Sequence, residues 1–524
     1  MICQSKGPVF LRARVWSSAV CALFLSSGGY SALAAWDEEA KVAASDGYPG
    51  DRFASSVATS GDLAVVGVVE DDDQGSASGS AYVYRWGGSA WNEEQKLLAS
   101  DGAASDKFGW SLSVSGNVVV IGAPYDDDNG SSSGSAYVFR YVDSTWVEEQ
   151  KLLPADGAAS DKFGYSVAVV GNAVVVGAYG DDDNGSSSGA AYVFRFEGSS
   201  WIREQKLLPA DGASSDFFGI GVSVSDDVIV VGANKDDDNG TNSGAAYAFR
   251  HDGASWVEEA KLLASDGAAY DYLGRSVSVS GEVAIVGAYN DADNGPASGS
   301  AYVFHFDGVS WVEEAKLLAS DGTESDEFGL TVSVSGNVAV VGAHLNEEMG
   351  DFSGAAYVYR FDGATWTESV KLLASDAYHL DEFGNAVAVS GSVIVVGAYL
   401  EDPGNTDAGS AYIFEYDDCG GYPLSVGASG AGSVARSPSL PTYPPGQIVD
   451  LTPTPEEGWM FDHWEDDLAG SDDPGQITMD GSKTVTAVFV RNRQPRLINV
   501  VGLDDASAGS NPVGGEQAAT PEAP

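Results

Sequence analysis

Cysteine is almost missing from this sequence, with 3 in 524 residues. Cys3 and Cys21 fall in an N-terminal stretch that reads as a cleavable leader. Cys419 is then left without a partner, so the expected fold is held by its core and not by an intrachain disulfide. Positive charge is also scarce. The 26 Lys and Arg face 77 Asp and Glu, a formal net charge of −51. Such a surface repels nucleic acid and anionic membranes and favours solubility, cations and basic partners. The five histidines (His251, His305, His344, His379 and His463) share no repeat position and no metal-ligand spacing. The G-x-S-x-G, H-E-x-x-H and phosphate-loop patterns are absent. No stretch has the period of an extended amphipathic helix. These absences count against a nucleic-acid-binding protein and give catalysis little support.

The first 34 residues read as a secretory signal. Lys6, Arg12 and Arg14 form a basic start, Val15 to Leu25 a short apolar core, and Ala32-Leu33-Ala34 a small-x-small cleavage site. The apolar run is too short to span a bilayer. The expectation is a secreted bacterial protein, extracellular, periplasmic or held at the cell surface, with no transmembrane segment after cleavage.

What is present is a repeat. Trp36, Trp91, Trp146, Trp201, Trp256, Trp311 and Trp366 are spaced 55 residues apart. Phe53, Phe108, Phe163, Phe218, Leu273, Phe328 and Phe383 keep the same interval. One unit reads as four strands. Phe108 to Ser115 alternates apolar and polar residues. Val118 to Ala123 is a β-branched run suited to burial on both faces. Gly134 to Arg140 and Trp146 to Leu153 complete the set, with an acidic loop, Asp126 to Ser133, between the second and third strands. Four strands in 55 residues is the size of a propeller blade, and 65 glycines suit the turns this requires.

The array begins with a lone fourth-strand motif, Trp36 to Ala44, and ends with three strands and Gly421 where the next Trp would stand. The N-terminal strand is therefore expected to complete the seventh blade and seal the ring, abolishing long exposed edges. Gly109, Gly122 and their equivalents are expected where neighbouring backbones approach closely.

The pairs Phe108-Gly109 and Phe163-Gly164, with Gly122-Ala123-Pro124 and Gly177-Ala178, resemble the FG-GAP repeat family, known from the integrin α-subunit propeller and from bacterial secreted proteins. Phe53-Ala54 and Leu273-Gly274 depart from the pattern. The resemblance implies an all-β, seven-bladed β-propeller over residues 35–418, and leaves function open because the architecture hosts many activities. In that family a calcium loop resembling D-x-D-x-D-G precedes the Gly-Ala-Pro strand. Here that place holds Ser115-Gly116-Asn117, which lacks carboxylates.

Residues 423–490 change character, with Tyr443-Pro444-Pro445-Gly446, Gly458-Trp459-Met460-Phe461 and Thr484-Val485-Thr486-Ala487-Val488-Phe489. They resemble the bacterial repeat domain related to internalin-type B repeats, a small β-rich module which in that family acts mainly as a spacer or adhesive stalk. Residues 491–524, rich in Gly, Ser, Ala and Pro, are expected to be disordered.

Alternating strand direction puts the loop between strands two and three on the same face as the loop to the next blade, so one face is expected to be strongly acidic. Asp126, Asp128, Asp181, Asp183, Asp236, Asp238, Asp291 and Asp293 are the candidate ligands there for calcium, a hard cation that takes oxygen ligands. The same residues also suit a plainer role, Asn-Gly turns with Asp bonding local backbone. The Trp series likewise reads two ways, as sugar-stacking rings or as blade packing, and its fixed register favours packing. Departures from the repeat lie at Asn346 to Asp351 and Glu401 to Asn405.

The expected function is non-enzymatic binding, adhesion or scaffolding. The acidic rim would meet a protein, glycan or cationic partner, with calcium as the candidate ion and no cofactor required. The rivals are a secreted lyase or hydrolase and a purely structural matrix component. Convergent carboxylates in a pocket beside the channel would favour an enzyme.

Overall fold

The computed structural model describes residues 35–402, 407–417, 424–437, 447–456, 458–479 and 483–491. The leader, Cys419, the stretch 403–406 and residues 492–524 lie outside them. The described residues are all-β, and the chain divides into two units, the first ending at Asp417.

The first unit is seven four-stranded antiparallel sheets. In six of them four consecutive strands run from the inner edge to the outer one, as in Phe53–Ser60, Leu63–Val68, Ser80–Trp86 and Trp91–Leu97. The seventh sheet takes its outer strand from the chain's beginning. Ala35–Val42 pairs with Ser410–Asp417, placing Trp36 opposite Tyr416 and Lys41 opposite Tyr412. The first and seventh blades also share one apolar layer, in which Phe53, Val57 and Tyr82 pack with Ala388, Val393 and Ile413. The ring is therefore closed as the sequence predicts.

Each second strand is apolar because it is covered on both sides by the neighbouring blades. Val118–Ala123, for example, is buried at every position. The Phe of each repeat fills the layer between consecutive blades. Phe163 packs with Val118, Val120 and Leu152 of the preceding blade and with Val174 and Tyr192 of its own. Backbone staples accompany it. Phe108 N–H donates to Ser78 O at 2.9 Å, and Gly109 N–H to Gly122 O at 3.1 Å. A Cβ on Gly122 would fall 1.9 Å from Gly164 O, so the close approach requires glycine.

In the second blade the inner strand begins at Ser111 and not at Phe108. The reason is local. Lys107 and Gly109 sit at φ +54° and +92°, so the chain turns through Phe-Gly before it extends.

The Trp series packs between blades. Trp146 Nε1 donates to Glu94 of the preceding blade at 3.0 Å, and its ring centroid lies 5.2 Å from that of Tyr141. Gln95 clamps the Trp146 backbone, accepting from its N–H and donating to its carbonyl, both at 2.8 Å. Where Gln95, Gln150 and Gln205 precede, Trp146, Trp201 and Trp256 are buried. Where alanine replaces the Gln, as at Ala260 and Ala315, Trp311 and Trp366 are only half-buried.

The second unit holds two three-stranded sheets. Leu424–Ser429 runs parallel to Lys483–Arg491, which pairs with Trp459–Asp466. Gly432–Ser437, Gln447–Pro455 and Gly475–Met479 form the other. Leu424, Val449, Leu451, Trp464, Ile477 and Phe489 make its core. Arg491, which the sequence assigns to the tail, closes the last strand.

Candidate functional site

The acidic face is built from two loops per blade that meet over a lysine. Lys151 Nζ, from the outer strand of the second blade, lies 2.8 Å from Asp101, 2.9 Å from Asp126 and 2.7 Å from Asp128. Tyr137 OH bonds two of these three carboxylates, 2.8 Å from Asp101 and 3.1 Å from Asp126. Burial works to lower the Lys151 pKa. Its bonds to Asp101, Asp128 and Asp126 outweigh that and hold it above its ordinary value.

The arrangement repeats. Lys206 joins Asp156, Asp181 and Asp183. Lys261 joins Asp211, Asp236 and Asp238, and Lys316 joins Asp266, Asp291 and Asp293. Lys96 does the same with Asp46, Asp71 and Asp73.

The structure thus brings each candidate calcium pair together, with an ammonium at the point where the carboxylates converge. Among the described residues no group of three or more acidic, His or Cys side chains has the geometry to hold a metal ion. The remaining carboxylates shape the turn. Asp126 accepts from Asp128 N–H at 3.0 Å, Asp127 from Ser132 N–H at 2.6 Å, and Gly130 takes φ +124°. The departures in the last two blades keep the cluster. Lys371 joins Asp321 and Glu348. Lys41, carried by the N-terminal strand, joins Asp376 and Glu401.

A second carboxyl series is buried as well. Asp106, Asp161 and Asp271 are pushed above the ordinary range by burial and by the neighbouring rim charges, and Asp216 is raised to about 6. Each accepts a backbone N–H three residues earlier in the chain, as Asp216 does from Ala213 at 2.6 Å.

The symmetry fails around the channel mouth on this face. A cavity of about 450 Å³ is lined by the inner strands of all seven blades. The residue after each Phe-Gly faces it, and there the repeat reads Ser55, Trp110, Tyr165, Ile220, Arg275, Leu330 and Asn385. The residue before each Phe and the two after each Gly-Ala vary as widely.

Blades two to five gather rings and cations. Trp110 lies 5.6 Å from Tyr125 and 5.3 Å from Tyr165, Tyr165 4.6 Å from Tyr179, and Tyr179 5.1 Å from Phe217. Lys162 stands 3.6 Å over Tyr125, Lys235 4.0 Å over Phe217, and Arg275 5.5 Å over Tyr165. Blades six and seven gather acids. His344 Nε2 lies 3.8 Å from both Glu327 and Glu382. Burial raises Glu327, helped by the Glu382 charge, and burial raises Glu382. Burial also pushes His344 down to about 4.

Sequence reasoning missed both features. Lys41, Lys96, Lys151, Lys206, Lys261, Lys316 and Lys371 keep the 55-residue interval as strictly as the Trp series, and that register was the available signal. The mouth residues were legible only as the few columns in which the repeat does not repeat.

Fold and site together define a seven-bladed propeller whose rim is internally ion-paired and whose individuality lies at the channel mouth. The FG-GAP repeat model matches seven segments, 36–84, 91–139, 146–194, 201–249, 256–304, 311–359 and 366–414, more than half of the chain. The chain belongs to the FG-GAP repeat family. Residues 422–493 match the divergent InlB B-repeat domain. An FG-GAP propeller joined to such a domain is the make-up of a surface or adhesion-type protein. No curated protein matches the chain. One solved chain, from "Crystal Structure of Mitotic Checkpoint Complex", aligns over 78% of this chain and 100% of its own length, at 11% identity and a TM-score of 0.45. Among the described residues no helix is long and apolar enough to cross a membrane.

Proposed function

We propose that this is a secreted or cell-surface binding protein that acts by adhesion or scaffolding and not by catalysis. One observation carries the reading: repeat symmetry is largely kept where side chains hold the ring together and is lost around the channel mouth. A scaffold of identical blades with one individual surface is the form of a recognition module. The rim carboxylates already bond lysine, tyrosine and backbone, so a calcium ion would have to displace an ammonium from its three partners. Partner binding is therefore expected to survive chelation. Nucleic acid is disfavoured as a partner by the charge of −51.

A protein and glycan array probed with the full mature chain, with calcium and with chelator, tests this. Retention of a defined ligand under both conditions is the expected result. Retention of nothing, or turnover of whatever is retained, refutes it.

The enzymatic alternative draws on one observation, the approach of Glu327 and Glu382 to His344. Two carboxyls raised by burial beside a channel could serve as acid and base. Turnover lost in both Glu327→Gln and Glu382→Gln would favour that reading.

A further inference from the structure

The cations around the channel mouth differ from the others: Arg275 lines the cavity, and Lys162 and Lys235 stand beside the arc of rings, over Tyr125 and Phe217. Among the described residues of the propeller every lysine is ion-paired within 4.0 Å except Lys162 and Lys235. Lys107 at the same mouth is paired with Glu70 at 3.0 Å. In a chain where acids outnumber bases about threefold, two unpaired ammonium groups on one arc require an explanation. Aromatic faces take the place of carboxylates there, with Lys162 3.6 Å over Tyr125 and Lys235 4.0 Å over Phe217. Burial lowers the Lys162 pKa, with only the Asp127 charge opposing, so the ammonium is held partly dry with no carboxylate against it. Two arginines of the cavity lining likewise carry no ion pair: Arg275 donates to Tyr165 OH at 3.2 Å, and Arg52, in the first blade, lies 5.7 Å from the Tyr399 ring.

We propose that the mouth over blades two to five binds a short acidic oligosaccharide, with sugar rings against the arc of Trp110, Tyr165 and Tyr179 and ring carboxylates on Lys162, Lys235 and Arg275. The inference rests on the binding-protein reading and gives it a ligand class. Three features select this chemistry. Neighbouring rings in the arc are tilted by 48 to 80°, so they offer separate faces, each able to take the C–H face of one sugar, and not the continuous platform on which successive bases stack. The wall beneath carries Ser111 and Ser166, which donate to Gly164 O and Gly219 O and keep oxygen lone pairs for a sugar hydroxyl, and Ser276, which accepts from Val332 N–H and keeps its own O–H to donate. The cations are few and separated, matching one carboxylate per ring. The dense charge of a nucleic acid, one per about 1.7 Å of duplex, would meet stronger repulsion from the rim.

The test is calorimetry and tryptophan fluorescence on the mature full chain with a short oligogalacturonate, its methyl ester, and a glutamate peptide. The free acid is expected to bind and to perturb Trp110 emission. The ester is expected to bind at least about tenfold more weakly, the loss of one charge-assisted contact. Lys162→Met and Lys235→Met should each weaken the acid by about tenfold and leave melting unchanged. Trp110→Ala should remove the fluorescence response.

Equal binding of acid and ester, full affinity in both lysine variants, or binding of the peptide alone would overturn the inference. Binding of none of the three probes overturns it too, and leaves the broader reading to the array. Cleavage of a bound oligogalacturonate would keep the site and overturn the non-enzymatic reading instead.

Discussion

Replacing Lys261 with methionine isolates the rim's physical logic. The side chain keeps its apolar stem and loses the ammonium, which stands 2.8 Å from Asp211, 2.8 Å from Asp236 and 2.6 Å from Asp238. The three contacts are unequal. Asp211 and Asp238 are about half exposed, and exposed pairs contribute roughly 0–1 kcal/mol each. Asp236 is only 5% exposed. Stranding a buried carboxylate costs about 3–5 kcal/mol, reduced here because Tyr247 OH at 2.9 Å and Asp238 N–H at 3.1 Å still bond it. The expected loss is about 3 kcal/mol. Unfolding entropy near 2.1 cal/mol/K per residue makes that a fall of about 4 °C for a domain of this size.

The variant also removes the ammonium from between the three carboxylates, and a small shift of the half-exposed Asp211 and Asp238 then lets them share a cation with Asp236. Calcium should then stabilise Lys261→Met, by about 1.4 kcal/mol at tenfold excess over its dissociation constant, and leave the unmodified protein nearly unmoved. Thermal melts with calcium and with chelator read both effects. A variant as stable as the parent, or a parent stabilised by calcium as much as the variant, would refute the reasoning.

Stability should be greatest in mild acid. Asp216 and Asp381 are raised to about 6 by burial and by neighbouring carboxylates, so the folded state holds their protons more tightly than the unfolded chain. Their contribution is full below about 4 and fades as pH rises through 6. His344, held down to about 4, acts in the opposite sense between about 6.5 and 4, but is outnumbered. Rim aspartates such as Asp101, whose pKa is lowered, set the acid limit below the usual carboxylate value. A melting temperature that climbs steadily from pH 5 to pH 8 would contradict this.

Ala54 stands at φ +69° where other blades have glycine, so Ala54→Gly should stabilise the ring by about 0.5–1 kcal/mol in denaturant melts, relief of strain exceeding glycine's entropy. Trp36→Ala should cost about 3–5 kcal/mol, since the ring is buried against Tyr416 at 5.1 Å. Deleting residues 35–42 should abolish the single cooperative transition, and a truncated chain that melts with the parent would disprove closure by the N-terminal strand.

How much of this was legible in the sequence depended on the range of the interaction. Blade number, strand content, burial of the second strand and completion of the seventh sheet follow from a 55-residue interval and from hydrophobic period, because each blade is one local unit copied seven times. The second unit was recognisable as β-rich from its own motifs, though only the coordinates show two sheets, one with a parallel pair. The same interval also contained the lysine series, unread because a lysine among acids looks like an ordinary solvated charge. Lys151 meets Asp101 across 50 residues and Asp126 across 25, and no local pattern joins them.

The sequence by itself determined a closed seven-bladed ring, since every blade carries the same apolar strands and neither end of the array is complete alone. Only the tertiary structure decided what the charges do. It set each lysine among carboxylates from two loops, turning an acidic face into a bonded one. It also drew the few unrepeated residues of every blade to a single opening, where inner strands from all around the ring converge.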